Sequence, residues 1–145
     1  MNNIFLFAIM LIAGAAVAAQ PSINGRLAQK VGVLESSFIS FAVGALVLLV
    51  VVLTTGRGNL RAVSEAAWWE LLGGFLGAFF VSMTIVAVPR IGTASTMAAV
   101  ITAQLITGLI LDSTGIFGLR TFSLDMKRML GAGLLIAGAL LVFRR

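Results

Sequence analysis

The stretch Phe38-Ile39-Ser40-Phe41-Ala42-Val43-Gly44-Ala45-Leu46-Val47-Leu48-Leu49-Val50-Val51-Val52-Leu53 holds sixteen residues and no charge. A soluble helix this long would keep one polar face, and none is present here. The segment suits hydrocarbon, where a spanning helix needs roughly 20 apolar residues. Working outward, four more apolar runs are separable, at 4–19, 68–88, 94–111 and 129–143. Runs 4–19, 38–53 and 129–143 are short alone and reach spanning length with their flanks. For the first run, that flank is 20–27. In lipid every backbone group must be satisfied within the segment, so each run is expected to be a helix. The expected fold is an all-α membrane protein with five transmembrane helices in a single transmembrane domain covering 1–145.

Composition agrees. Charged residues make up 10% of the chain and hydrophobic residues 60%, against about 25% charged in a soluble domain. Cysteine and histidine are absent. That removes disulfides, Cys/His metal sites, a cysteine nucleophile and a histidine base, so no enzyme, metal or cofactor is expected. The net charge of +5 does not imply nucleic acid, because the ten basic residues lie between the apolar runs. Small residues at Ala16-Val17-Ala18-Ala19 look like a signal-peptidase site. However, Asn2 and Asn3 stand where a signal peptide wants a basic residue, so a retained first helix is expected.

The connections are short. Pro21 is expected to bend or end the first helix, with 26–35 following it. Residues 54–67 join the second helix to the third, 89–92 form a tight turn, and 111–128 make the longest connection. With five helices, Arg57, Arg61, Arg120, Lys127 and Arg128 fall on one side of the membrane. Arg26, Lys30, Arg90, Arg144 and Arg145 fall on the other. Lys and Arg in short loops set orientation, and a five-to-five tie gives no preference. The expectation is dual topology: two copies in opposite orientations, forming an antiparallel homodimer. Such a pair would be a ten-helix bundle with the inverted repeat that many transporters carry in one longer chain.

Five features, in order, carry a resemblance. They are Gln20-Pro21-Ser22-Ile23-Asn24-Gly25-Arg26-Leu27, Trp68-Trp69-Glu70-Leu71-Leu72-Gly73-Gly74-Phe75-Leu76-Gly77 and Val88-Pro89-Arg90-Ile91-Gly92. Gln104 with Leu111-Asp112-Ser113-Thr114-Gly115 follows, and then the glycine-spaced run from Gly131 to Gly138. Together they resemble the YdcZ-like, five-helix, half-size members of the drug/metabolite transporter superfamily, over nearly the whole chain. The resemblance implies a multi-pass protein of a bacterial-type inner membrane and a secondary transporter built from two five-helix halves. It names no substrate. The related small multidrug resistance proteins carry a glutamate in helix one, and residues 4–19 hold none. Their proton-for-cation exchange is therefore not expected.

Candidate site residues follow from polarity at membrane depth. Gln104 lies past the middle of the fourth segment, with Thr93, Met97, Ile101 and Thr107 on roughly the same face. Such a stripe lines a substrate cavity or supplies an interhelical hydrogen bond. Gln20 and Asn24 share a face if the helix continues past Pro21, and a break there would expose backbone carbonyls beside two amides. Ser36, Ser37 and Ser40, after Glu35, read as caps of the second helix. Ser82 and Thr84 read as packing residues, with Ser82 kept as a candidate substrate contact. Trp68 and Trp69 read as an interfacial belt, with Trp69 also able to line a vestibule. Gly73 and Gly77 form a Gly-xxx-Gly pair suited to close packing. The superfamily analogy assigns the smooth face of Gly131, Gly133 and Gly138 to pairing of two copies. Glu35, Glu65, Glu70, Asp112 and Asp125 all lie near segment ends or in loops. Asp112, able to pair with Arg90 or a loop arginine, is the candidate for a coupling ion.

The leading expectation is a secondary active transporter of a small metabolite or drug-like solute, working by alternating access at a dimer interface. Two other classes stand beside it. One is a dual-topology small-ion channel, suggested by Gly73-Gly74-Phe75-Leu76-Gly77-Ala78 and the ten phenylalanines. The other is an accessory subunit of a heterodimeric transporter. A channel passes ions far faster than a carrier, and a stable homodimer argues against the accessory role.

Overall fold

A computed structural model describes residues 2–118 and 121–143, and it is helical throughout with no strand among them. Five α-helices appear: α1 Asn3–Val31, α2 Val33–Thr55, α3 Leu72–Ile91, α4 Thr93–Thr114 and α5 Met126–Phe143. Short 3-10 turns occupy Leu60–Glu65, Trp68–Leu71 and Ile116–Gly118. All five helices are long and apolar enough to cross a membrane, the third span running from Trp68 to Ile91. Arg120, Arg144 and Arg145, which contribute to the charge tie, lie outside the described residues.

The chain divides into two compact units, Met1–Arg90 and Ile91–Arg145. In the first, α1 and α2 pack together as a hairpin. Its geometry corrects the expectation that the helix ends at Pro21. The helix neither ends there nor gives way to a loop at 26–35; α1 runs through Pro21 to Val31, 29 residues in all. At 1.5 Å per residue this is about 43 Å, more than a bilayer core needs. Proline removes one N–H from the ladder, which membrane helices tolerate when packing compensates. Here the Pro21 ring is fully buried. A discontinuous first helix is therefore absent.

The break falls instead at Gly32, whose φ of 103° is open to glycine and strained for other residues. Gly32 caps both helices: its N–H donates to Ala28 O (2.9 Å) and its carbonyl accepts from Ser36 N–H (3.0 Å). Because α2 starts at Val33, Ser36, Ser37 and Ser40 lie inside the helix and are not its caps. Glu35 sits in the first turn, where a carboxylate suits the helix's positive end.

Toward α3, one of the paired glycines is used for close approach. A methyl group on Gly77 would lie 3.2 Å from Phe41 Cζ of α2, whereas one on Gly73 would meet nothing within 4 Å. Gly77→Leu is expected to force the Phe41 ring aside and cost about 1–3 kcal/mol. Gly73→Leu should cost much less. Thermal unfolding of the two variants in detergent checks the difference.

In the second unit, α4 packs on α5. Gly92, at φ 83°, precedes α4 and accepts from Thr96 N–H (3.1 Å). Gly115 ends α4 in the left-handed region (φ 62°), its N–H donating to Leu111 O (3.0 Å). Phe117 (φ 72°) and Gly118 (φ 70°) share that region. For phenylalanine this conformation is strained, by about 1–3 kcal/mol. The chain returns so that Phe122 N–H donates to Asp112 O (2.9 Å). Asp125 then starts α5 as its cap, accepting Arg128 N–H at Oδ1 (2.7 Å).

Candidate functional site

Gln20 lines a cavity in the first unit, and Gln104 and Asp112 line one in the second; Asn24, Trp69, Ser82 and Thr107 line neither. In the first unit, Gln20, Ser40, Phe41, Gly44, Ala45 and Leu48 line a space of about 290 Å³ between α1 and α2. Behind it runs a polar seam. Asn24 is buried and its Nδ2 donates to Ser40 Oγ (3.2 Å). Ser36 Oγ, with 0% exposure, donates to the Asn24 carbonyl (2.8 Å). Ser37 Oγ donates to Val33 O (3.0 Å) and accepts from Ser82 Oγ of α3 (2.9 Å). Asn24, Ser36, Ser37 and Ser82 therefore tie α1, α2 and α3 together through buried hydrogen bonds. In hydrocarbon each is worth about 0.6–1.7 kcal/mol.

These residues divide by role. Gln20 and Ser40 face the cavity. Asn24 reaches Ser40 from the buried side, so it positions rather than lines. Ser82 bonds Ser37 across to α2, whereas Thr84 bonds back to Val81 O within α3 (2.9 Å). Trp69 sits in the 3-10 turn before α3, 43% exposed. Ser36 and Ser40 gave no sign as a seam in the sequence, because their partner in α1 lies 12 and 16 residues away.

In the second unit, a cavity of about 380 Å³ lies between α4 and α5. Gln104, Asp112 and Arg128 supply its polar side chains, with Gly108, Gly131 and leucines between them. Arg128 Nη1 approaches Asp112 Oδ2 to 3.2 Å, the two side chains being 37% and 40% exposed. The Arg128 guanidinium also lies over the Phe122 ring, 5.3 Å from its centre. Asp112 thus pairs with Arg128, which belongs to the first turn of α5. Thr107 is exposed and does not line this space. Met97 and Ile101 line a different cavity, of about 400 Å³, together with Leu134 and Gly138. The stripe along α4 is therefore divided between two spaces.

A methyl group added to Gly131, Gly133 or Gly138 would meet nothing within 4 Å in their own unit. Ala132 is the buried residue of α5. Among the described residues no group of acids could hold a metal ion.

Residues 5–141 match the family model described as "Putative inner membrane exporter, YdcZ". The chain is 33% identical over 148 residues to the inner membrane protein YdcZ of Escherichia coli K12, covering 100% of this chain and 99% of that one. No solved structure matches.

Proposed function

Since this chain belongs to the YdcZ family of drug/metabolite-transporter-type inner-membrane proteins, we propose that it is one half of a secondary active transporter for a small metabolite or drug-like solute. Two copies in opposite orientations make the working unit. Each contributes five helices, and solute is held near the midplane before release to the other side. Alternating access is then the exchange of two equivalent asymmetric arrangements of the pair. The chain's place is the inner membrane, which it crosses several times.

The observation that carries the paired unit is the face of α5. Lipid offers no hydrophobic drive for helices to associate, so small residues mark where backbones meet closely. Gly131, Gly133 and Gly138 are exposed in their own unit and an added methyl group would meet nothing within 4 Å. Gly131 and Gly138 border the spaces shared with α4, and Gly133 lies on another side of the helix. The five-to-five distribution of basic residues supports opposite orientations. Gln104 and Gln20, each at an open cavity, are the side chains proposed to meet solute.

The test is a solute screen on protein reconstituted alone in liposomes, with and without a proton gradient. Uptake saturating with solute is expected. Gln104→Ala is expected to lower it at least about tenfold, the value of one lost polar contact to solute, with helical content unchanged. Unaltered uptake would remove Gln104 from the site. Tags on the C-terminus should be reached from both sides of the membrane; labelling from one side alone would end the dual-topology reading. Activity appearing only with a second, different chain would favour the accessory role.

A further inference from the structure

The Asp112–Arg128 pair does not behave as a structural brace. An acid in the last turn of α4 and a base in the first turn of α5 both oppose the helix dipoles, which favour the reverse placement. The contact itself is weak. It is a single approach of 3.2 Å on side chains more than a third exposed, where ion pairs contribute little. It is also badly directed, for Arg128 Nη1 is buried yet makes no hydrogen bond of good geometry among the described residues. A guanidinium carries five N–H donors in a planar fork suited to a carboxylate's two oxygens. Here the guanidinium lies over the Phe122 ring, and its buried Nη1 has no well-directed acceptor among the described residues. It borders a cavity of about 380 Å³ whose remaining walls are mostly apolar, with the Gln104 amide eight residues, about 12 Å, from Asp112 along α4.

We infer that Arg128 is the anion-recognition residue of this cavity, and that Asp112 is an internal competitor which a carboxylate-bearing solute displaces. This deepens the transport reading and rests on it for the solute's passage, but not for its binding. The solute class is a small organic carboxylate with an apolar body and a hydrogen-bonding group at the far end, facing Gln104. When the cavity is empty, Asp112 partly neutralises Arg128. When a carboxylate arrives, it takes both prongs of the fork and frees Asp112. The Phe122 ring keeps the guanidinium planar to the incoming group, through a contact typical of arginine over an aromatic face.

Benzoate titration of the purified full chain in detergent, followed by calorimetry, tests this, with benzamide and benzylamine as neutral and cationic probes of equal size. Benzoate is expected to bind at least about tenfold more tightly than either, the worth of a charge-assisted fork. Arg128→Gln should remove that preference. Asp112→Asn, which keeps the shape and deletes the competing charge, should tighten benzoate binding several-fold. A brace would respond otherwise, since both substitutions would weaken binding together. Parallel losses, or no preference for benzoate over benzamide, would overturn the inference. Should Arg128→Gln fail to fold, Arg128→Lys serves, because a point charge without the fork should retain only part of the preference. Solute uptake in liposomes with no benzoate preference would sink this inference and leave the transport reading standing. Benzoate binding with the expected signs but no uptake of any solute would do the reverse.

Discussion

Ser36→Leu is expected to be among the most damaging single substitutions in the first unit, lowering stability by about 2–4 kcal/mol. Two costs combine. Ser36 has no exposure, so the two extra heavy atoms of leucine must push α1 and α2 apart; overpacking of this kind costs about 1–3 kcal/mol. The hydroxyl that donates to the Asn24 carbonyl is lost as well, and an interhelical bond in a membrane is worth about 0.6–1.7 kcal/mol. Ser36→Ala separates the terms, for it removes the hydrogen bond without adding volume. It should cost about 1 kcal/mol. Leucine is the more hydrophobic residue, so a helix held in place only by its partition into lipid would be unharmed or improved. Titration with a denaturing detergent, read by helical content, distinguishes the cases. A leucine variant as stable as the parent would mean that α1 and α2 do not meet closely at Ser36.

The same hairpin marks where the sequence was legible and where it was not. Five spans were readable because hydropathy is a local, additive signal: each run announces itself without reference to any other. The fate of Pro21 was not, because a proline followed by Ser22, Asn24 and Arg26 carries the signature of a helix end in water. What keeps the helix going is nonlocal. The ring is buried and Asn24 is satisfied from α2, neither of which can be read from residues 20–27 alone. The serines at 36, 37 and 40 misled for the same reason. Their type suits a cap, but a glycine at φ 103° already ends both helices.

The candidate site was legible as residue types and not as a constellation. Gln104 and Asp112 stood out by polarity in an apolar chain, yet the choice of Arg128 over other arginines was hidden. That choice depends on a turn in which Gly115, Phe117 and Gly118 take left-handed backbone angles and Phe122 returns to the end of α4. Gly73 and Gly77 make the limit plain: spacing makes them equivalent, and only Gly77 lies against a neighbouring side chain.

The α5 face yields the prediction with the largest functional effect. Gly131→Leu combined with Gly138→Leu is expected to split the proposed antiparallel pair and abolish solute uptake, while each chain keeps its helical content. Because Gly131 also lines the Gln104 cavity, particle mass rather than loss of uptake is what reads pairing. Within the second unit an added methyl group meets nothing within 4 Å at either position, and both glycines border open spaces beside α4 that a larger side chain can enter. The single chain should therefore tolerate the change, and leucine is the better helix former of the two residues. Two glycine faces pressed together have no such room. Overpacking at about 1–3 kcal/mol per site, counted on both copies, would weaken association by roughly a thousandfold or more. The mass of the detergent-solubilised particle, corrected for bound detergent, should fall from two chains to one. Ala replacements at the same positions should have a much smaller effect, since a methyl group fits where a leucine does not. If the leucine variant remains paired and active, α5 does not hold the copies together, and another helix must. If it becomes a single chain that still moves solute, the working unit is one five-helix bundle and the inverted pair is unnecessary.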